Sequence, residues 1–243
     1  MNLIIDVGNS FVKLAVFDGG ALKHKEAVAL NLILEHIEAI KNEYPSISQA
    51  IVSSVGKLSK TDVDVISNYF DLLSLNSDTK LPFTNLYETP KTLGVDRLAL
   101  VCASVKLYEN RNVLVIDAGT CITYDFINTK KEYLGGAISP GLRMRYKSLN
   151  NLTANLPLLD MGLPNSIIGN STETAIHSGV VYGVLKEMDG VIDEYKVNYP
   201  DLTVILTGGD SNFLSKQLKS SIFATSNFLL EGLNFILQFN SNE

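Results

Sequence analysis

An α/β fold built from two related halves is what the sequence predicts, and three features predict it. Residues 3–17, LIIDVGNSFVKLAVF, and residues 114–127, LVIDAGTCITYDFI, share one pattern about half a chain apart. In each copy an apolar run ends in Asp, then one residue, then Gly, then a small polar residue, and a second alternating run follows. That pattern reads as strand, tight turn, strand, and two copies that each open a half point to duplication. After each copy, helical and strand periodicities alternate, which argues for helices packed on a mixed sheet. The chain has 243 residues and a hydrophobic fraction of 46%, enough for a sizeable core and too apolar for a disordered chain.

The elements follow in order. Asp6 closes the first apolar run, and aligning it with Asp117 puts Gly8 on Gly119, Asn9 on Thr120 and Val12 on Thr123. Leu30, Ile33, Ile37 and Ile40 are helically spaced, predicting a helix over Asn31–Tyr44 that Pro45 stops. Ala50–Val55 is a short apolar strand ending at Gly56, and Asp96–Tyr108 is helical. Asn110–Asn112 is a polar turn, so the halves are expected to span residues 1–111 and 112–243. In the second half, Ile176, Val180, Val184, Met188, Val191 and Tyr195 form one stripe of a helix over Thr172–Tyr195. Asn170 and Glu173 stand at capping-box spacing before it. Thr203–Leu206 is a β-branched strand running into Thr207-Gly208-Gly209-Asp210. Ser226–Phe239 is a last apolar helix, with Asn240–Glu243 a frayed polar tail.

Composition narrows the function classes. Lys and Arg number 20 against 26 Asp and Glu, a net charge of −6 with no basic patch, so nucleic acid is not an expected partner. No apolar run approaches the roughly 18 residues of a membrane helix. The first residues, MNLIIDVGNSFVK, lack the basic start of a signal peptide. Two cysteines, Cys102 and Cys121, are too few for a disulfide framework and fit a cytoplasmic setting. Three scattered histidines do not make a zinc site.

The motifs that carry chemistry point at phosphate. In Asp6-Val7-Gly8-Asn9-Ser10-Phe11-Val12-Lys13, the glycine permits a tight turn and close backbone approach to a ligand. Asn9 and Ser10 add donors, Lys13 a positive charge, and Asp6 a carboxylate able to hold a hydrated cation. Asp117-Ala-Gly119-Thr120-Cys121-Ile-Thr123 repeats the chemistry with threonine hydroxyls. Two such hairpins suit a polyphosphate with its metal ion, and no G-x-x-x-x-G-K-[ST] occurs, so the chain is not a P-loop protein. In Tyr87-Glu-Thr-Pro90-Lys-Thr-Leu-Gly94-Val95-Asp96-Arg97, an Asp-Arg pair opens a helix. Asp96 could accept a proton or merely cap the helix, and Arg97 could grip a carboxylate bidentately. Gly135-Gly136, Pro140-Gly141 and Gly208-Gly209 are turns that could also let a nucleoside lie against backbone.

Together these motifs resemble the type III pantothenate kinases of the actin, sugar-kinase and Hsp70-like ATPase superfamily. Five blocks stand in that family's order: D-x-G-N-S-x-x-K, Y-x-x-P-x-x-L-G-x-D-R, D-x-G-T-x-x-T, G-G-x-I-x-P-G and T-x-x-A-I-x-S-G at Thr172–Gly179. The resemblance implies two tandem ribonuclease-H-like domains with an interdomain ATP cleft. It also implies ATP-dependent phosphorylation of pantothenate to 4'-phosphopantothenate, the first step toward coenzyme A. On that resemblance, Asp6, Val7, Gly8, Asn9, Ser10, Phe11, Val12, Lys13 and Thr120 would hold Mg²⁺-bound ATP. Tyr87, Gly94, Val95, Asp96, Arg97 and Thr172 would hold pantothenate, with Asp96 as general base. Asp117 would bind a monovalent cation, potassium or ammonium, and the protein would be a homodimer. Cys121 departs from the small residue expected there, and Leu98 from the Trp of many members. The rival readings are a non-catalytic nucleotide-binding regulator of the same family and a small sugar kinase. Asp96 argues against the first, and Arg97, which has no partner on a sugar, argues against the second.

Overall fold

The computed structural model describes residues 1–8, 11–54 and 58–241. It divides into two compact units: residues 1–109, 130–133 and 227–243 form one, and residues 110–129 and 134–226 the other.

In the first unit, β1 (Asn2–Val7), β2 (Val12–Asp18) and β3 (Ala21–Val28) form an antiparallel meander. Helix α1 (Ile33–Glu43), β4 (Gln49–Ser54), α2 (Lys60–Tyr69), β5 (Asp71–Ser74), β6 (Thr84–Asn85) and α3 (Val95–Leu107) follow. Strands β4 and β5 add in parallel, giving the order β3-β2-β1-β4-β5. Strand alternation sorts the side chains onto two faces. Leu3, Ile5, Val7, Val12, Leu14 and Val16 pack on Ile33, Ile37, Ile40 and Ile66 of α1 and α2. Ile4, Ala15 and Phe17 face the other way, onto Ala99 and Cys102 of α3. Val55–Lys57, the end of the predicted strand at 50–55 and its glycine, lie outside the described residues.

The second unit opens with β7 (Val113–Ala118) and β8 (Cys121–Ile127), antiparallel as the repeat predicts. Strand β9 (Glu132–Pro140), α4 (Leu142–Asn151), α5 (Thr172–His177), α6 (Gly183–Asn198), β10 (Thr203–Thr207), α7 (Ser211–Leu214) and β11 (Phe223–Ala224) complete it. Within this unit the strands of a six-stranded sheet run in the order β11-β10-β7-β8-β9, with β10 parallel to β7 and β11 parallel to β10. These five strands repeat the order of the first sheet, so the likeness of the halves extends well past the hairpins. The start of β9, Glu132–Tyr133, belongs to the first unit and pairs there in parallel with β6.

Three details differ from the sequence reading. The helix predicted over 172–195 is continuous to Asn198 but carries a π-helical turn at Ser178–Tyr182. Its cap is Ser171, whose hydroxyl accepts from the Thr174 N–H while Thr174 answers back, one residue later than Asn170 and Glu173. The final helix, α8 (Phe228–Ser241), runs into the expected frayed tail, where Asn240 and Ser241 donate back to the carbonyls of Ile236 and Leu237.

Helix α8 returns to the first unit, where Leu230, Leu233, Ile236 and Leu237 join the α3 face of the sheet. The two helices approach so closely at Gly232 that a Cβ there would overlap the Ala99 carbonyl. Gly232→Ala is therefore expected to lower stability by about 1–3 kcal/mol, read as a fall in the urea midpoint. An unchanged midpoint would mean that α3 and α8 separate without penalty.

Candidate active site

Alternation along β1 puts Asp6 on the same face as Ile4, the face that α3 covers. Asp6 is only 5% exposed. Its cross-strand partner is Lys13, whose Nζ lies 3.3 Å from Asp6 Oδ2 while its side chain stays 43% exposed. Burial pushes the Asp6 carboxyl above the usual range; Lys13 draws it back, and the charge of Asp96 adds to the rise. Val7 and Val12 are buried core residues, Phe11 is 60% exposed, and the Gly8 N–H donates to the Phe11 carbonyl at 3.2 Å. Asn9 and Ser10 lie outside the described residues.

The start of α3 shares this face. Gly94 is the N-cap and Val95 the first helical residue, which places Asp96 inside the first turn rather than at the cap. Asp96 Oδ1 accepts from the Arg97 N–H at 2.9 Å, a favourable place for a carboxylate because the helix dipole is positive there. A side chain at Gly94 would overlap that same oxygen, so glycine is what lets Asp96 sit as it does. Arg97 is 5% exposed, and its guanidinium lies 5.5 Å from the Tyr87 ring centroid. Tyr87 in turn stacks on buried Tyr133 at 6.1 Å and 18°. The fold thus gathers Asp6, Lys13, Asp96, Arg97 and Tyr87 within one unit.

In the second unit, Asp117 is half-buried at the end of β7 and Thr120 is exposed in the turn. The Gly119 N–H donates to Cys121 O at 2.9 Å, and the Gly141 N–H to Thr120 O at 3.0 Å. A Cβ at Gly141 would overlap the Gly119 carbonyl, and one at Gly208 (φ +95°) the Ala118 carbonyl and Asp117 Oδ1. These glycines, read from the sequence as turns or nucleoside contacts, let neighbouring backbone close on the hairpin. Arg145 fixes the approach of Gly141, donating through Nε to Pro140 O at 2.9 Å and through Nη2 to Ser139 Oγ and Glu187. Burial alone would raise the Glu187 carboxyl, but hydrogen bonds from Arg145 and Ser139 outweigh it and hold it below the usual range. Asp210, which the sequence offered only as the end of a glycine turn, is buried, donates its N–H to Ala118 O at 2.9 Å and meets Arg143 Nη1 at 3.3 Å. Thr172 is exposed at the first residue of α5.

One alignment is corrected. Asp6 faces Lys13 across its hairpin and Asp117 faces Thr123 across the second. Thr123 is therefore the counterpart of Lys13, not of Val12. Four residues separate paired Val7 and Val12, but only three separate Ala118 and Ile122. With period-2 alternation, the shorter turn is what keeps Thr123 on the Asp117 face.

Among the described residues no three His, Cys, Asp or Glu side chains could together hold a metal ion. Asp117 offers a single carboxylate, and the Thr123 hydroxyl on the same face is buried with no hydrogen-bond partner among the described residues. One carboxylate with neutral oxygens fits a monovalent cation.

The fold is an α/β arrangement of two mixed sheets of like order, each opening on an Asp-x-Gly hairpin. A Baf family chain from Campylobacter jejuni matches it with a TM-score of 0.66 at 21% identity, over 99% of this chain and 100% of that one. A ROK family glucokinase from Streptomyces griseus matches with a TM-score of 0.54 at 10% identity, over 100% and 99%. At such identities the likeness concerns fold alone. Within that fold, the chain belongs to the type III pantothenate kinase family, whose sequence profile matches residues 2–194. A type III pantothenate kinase of Christiangramia forsetii is 50% identical over 243 residues, all of both chains. One of Flavobacterium johnsoniae is 48% identical over 239 residues, 98% of each.

The raised Asp6 carboxyl binds its proton more readily folded than unfolded, so stability falls as pH rises from its ordinary value of 3.8 through the folded value. Asp6→Asn is expected to raise the Tm of the nucleotide-free protein at pH 7 by about 2–4 °C. That gain should shrink as acid protonates Asp6. A lower Tm for the variant at pH 7 would show that the Lys13 pair outweighs burial.

Proposed function

We propose that the chain is an ATP-dependent kinase that phosphorylates pantothenate to 4'-phosphopantothenate, the entry to coenzyme A biosynthesis. The observation that carries the reading is the juxtaposition of Asp96, Arg97 and Tyr87 at the start of α3, on the sheet face that bears Asp6 and Lys13. ATP brings its own Mg²⁺, and its phosphates bind to Asp6–Lys13 and to Thr120, from the two hairpins. The hairpins open two ribonuclease-H-like domains, 1–111 and 112–243 in chain order, with α8 returning to the first unit. Asp117 holds potassium or ammonium. A carboxylate beside a polyphosphate repels it, and the cation supplies the positive charge that offsets the repulsion.

Pantothenate carries a carboxylate at one end and a primary hydroxyl at the other. Arg97 takes the carboxylate by its planar fork, Tyr87, Gly94, Val95 and Thr172 line the acceptor site, and Asp96 accepts the hydroxyl proton. Phosphoryl transfer passes through a loose transition state, so the proton leaves late and an ordinary carboxylate suffices. Asp96 is suited to that task because only Oδ1 is engaged by the helix in the contacts described above, and because Gly94 leaves the carboxylate room. A sugar acceptor would give the buried Arg97 no anion to bind. A second copy of the chain completes a homodimer. Its support is the run of exposed apolar side chains at Leu152, Leu158, Leu163, Ile167 and Ile168. The composition fits a cytoplasmic enzyme.

Two variants separate the roles. Asp96→Asn keeps the shape and removes the base, and kcat should fall by about 10²-fold or more with nucleotide affinity intact. Near-normal kcat would leave Asp96 as a structural residue of the helix start. Arg97→Met should raise the pantothenate KM about tenfold or more, with the ATP KM nearly unchanged, and lysine should rescue only in part. Equal losses for both substrates would make Arg97 structural.

A further inference from the structure

The two hairpins solve one electrostatic problem differently. At the end of each first strand stands an aspartate, and directly across the antiparallel pair stands its partner, on the same face of the sheet. In the first hairpin that partner is Lys13, a cation fixed to the chain, 3.3 Å from Asp6. In the second it is Thr123, which is neutral. The Thr123 hydroxyl is buried and has no hydrogen-bond partner among the described residues. Valine has the same shape and would fill the space without a polar atom to satisfy. The hydroxyl carries two acceptor lone pairs, and it lies beside a carboxylate. An anion there would be repelled by Asp117, whereas a cation would be drawn to both oxygens.

We propose that Thr123 supplies a neutral oxygen ligand to the monovalent cation at Asp117, so that an exchangeable ion does for the second hairpin what the Lys13 ammonium does for the first. The proposal rests on the reading of Asp117 as the cation site. It explains why the counterpart of Lys13 is a small hydroxyl residue: a lysine there would occupy the ion's place. It also assigns Thr123 a role in binding the ion rather than in contacting pantothenate.

The test reads cation binding directly. The Tm is followed during potassium titration against choline at constant ionic strength, with a non-hydrolysable ATP analogue and Mg²⁺ present. Thr123→Val should raise the half-saturating potassium concentration about tenfold or more, and Thr123→Ser, which keeps the hydroxyl, should stay within about threefold of the wild type. Asp117→Asn should abolish the response. A Thr123→Val protein within about twofold of the wild type, with Asp117→Asn unresponsive, overturns the role of Thr123 and leaves Asp117 as the site. A response that survives Asp117→Asn, or is missing from the wild type, overturns the Asp117 reading and this proposal with it. Should Thr123→Val fail to fold, wild-type crystals grown with thallium(I) give the answer. An anomalous peak touching Asp117 and Thr123 Oγ1 supports the proposal, and a peak on Asp117 without Thr123 overturns it.

Discussion

A carboxylate at the buried end of a central strand is costly unless positive charge stands beside it. That constraint organises both halves of this protein. In the first, Asp6 lies almost wholly out of solvent, with burial raising its carboxyl and Lys13 across the hairpin holding the rise in check. The pair spans β1 and β2, so the hairpin register, the face of the sheet and the position of the charge are fixed together. The α3 helix packs on that face and brings Asp96 close enough for the two carboxylates to affect each other. Two acids and one lysine at a sheet end make a poor resting arrangement and a good receptor for a magnesium-bound polyphosphate. In the proposed reading, substrate binding relieves the strain that the apoprotein carries.

The second half reaches the same end by other means. Its hairpin turn is one residue shorter, its cross-strand residue is a hydroxyl, and two neighbouring glycines let backbone close over the turn. Arg145, held by Glu187, Ser139 and the Pro140 carbonyl, keeps Gly141 against Thr120. The half whose cross-strand residue is neutral is thus the one in which backbone closes over the turn. A free ion is held only where its ligands are already in place.

Much of this was legible in the sequence because period-2 alternation ending in Asp-x-Gly leaves little choice but a hairpin. The helix at 33–43 was legible from its apolar spacing, and a helix over 96–108 was expected as well. What the sequence hid were features set by tertiary packing. A gapless alignment of the two copies cannot reveal a turn shortened by one residue, yet that residue decides whether Val12 or Lys13 matches Thr123. The π-turn at 178–182 leaves the apolar stripe almost unbroken, so no periodicity reports it. The return of α8 onto α3 depends on Gly232 meeting Ala99, a contact between residues far apart in the chain. Ten positions separate Tyr87 from Arg97, and their stacking emerges only once Tyr133 packs beneath the tyrosine. The glycines at 141 and 208 announced turns, but not that they cover the second hairpin.

The central claim is that these elements serve phosphoryl transfer to an acceptor that carries a carboxylate. The purified protein, given ATP, Mg²⁺ and potassium, is offered pantothenate, glucose or N-acetylglucosamine in turn, and products are read by phosphorus NMR and mass spectrometry. The account predicts 4'-phosphopantothenate and ADP in equal amounts, with no phosphorylated sugar. Phosphorylation of a sugar, or no turnover with pantothenate while ATP still binds, would contradict it.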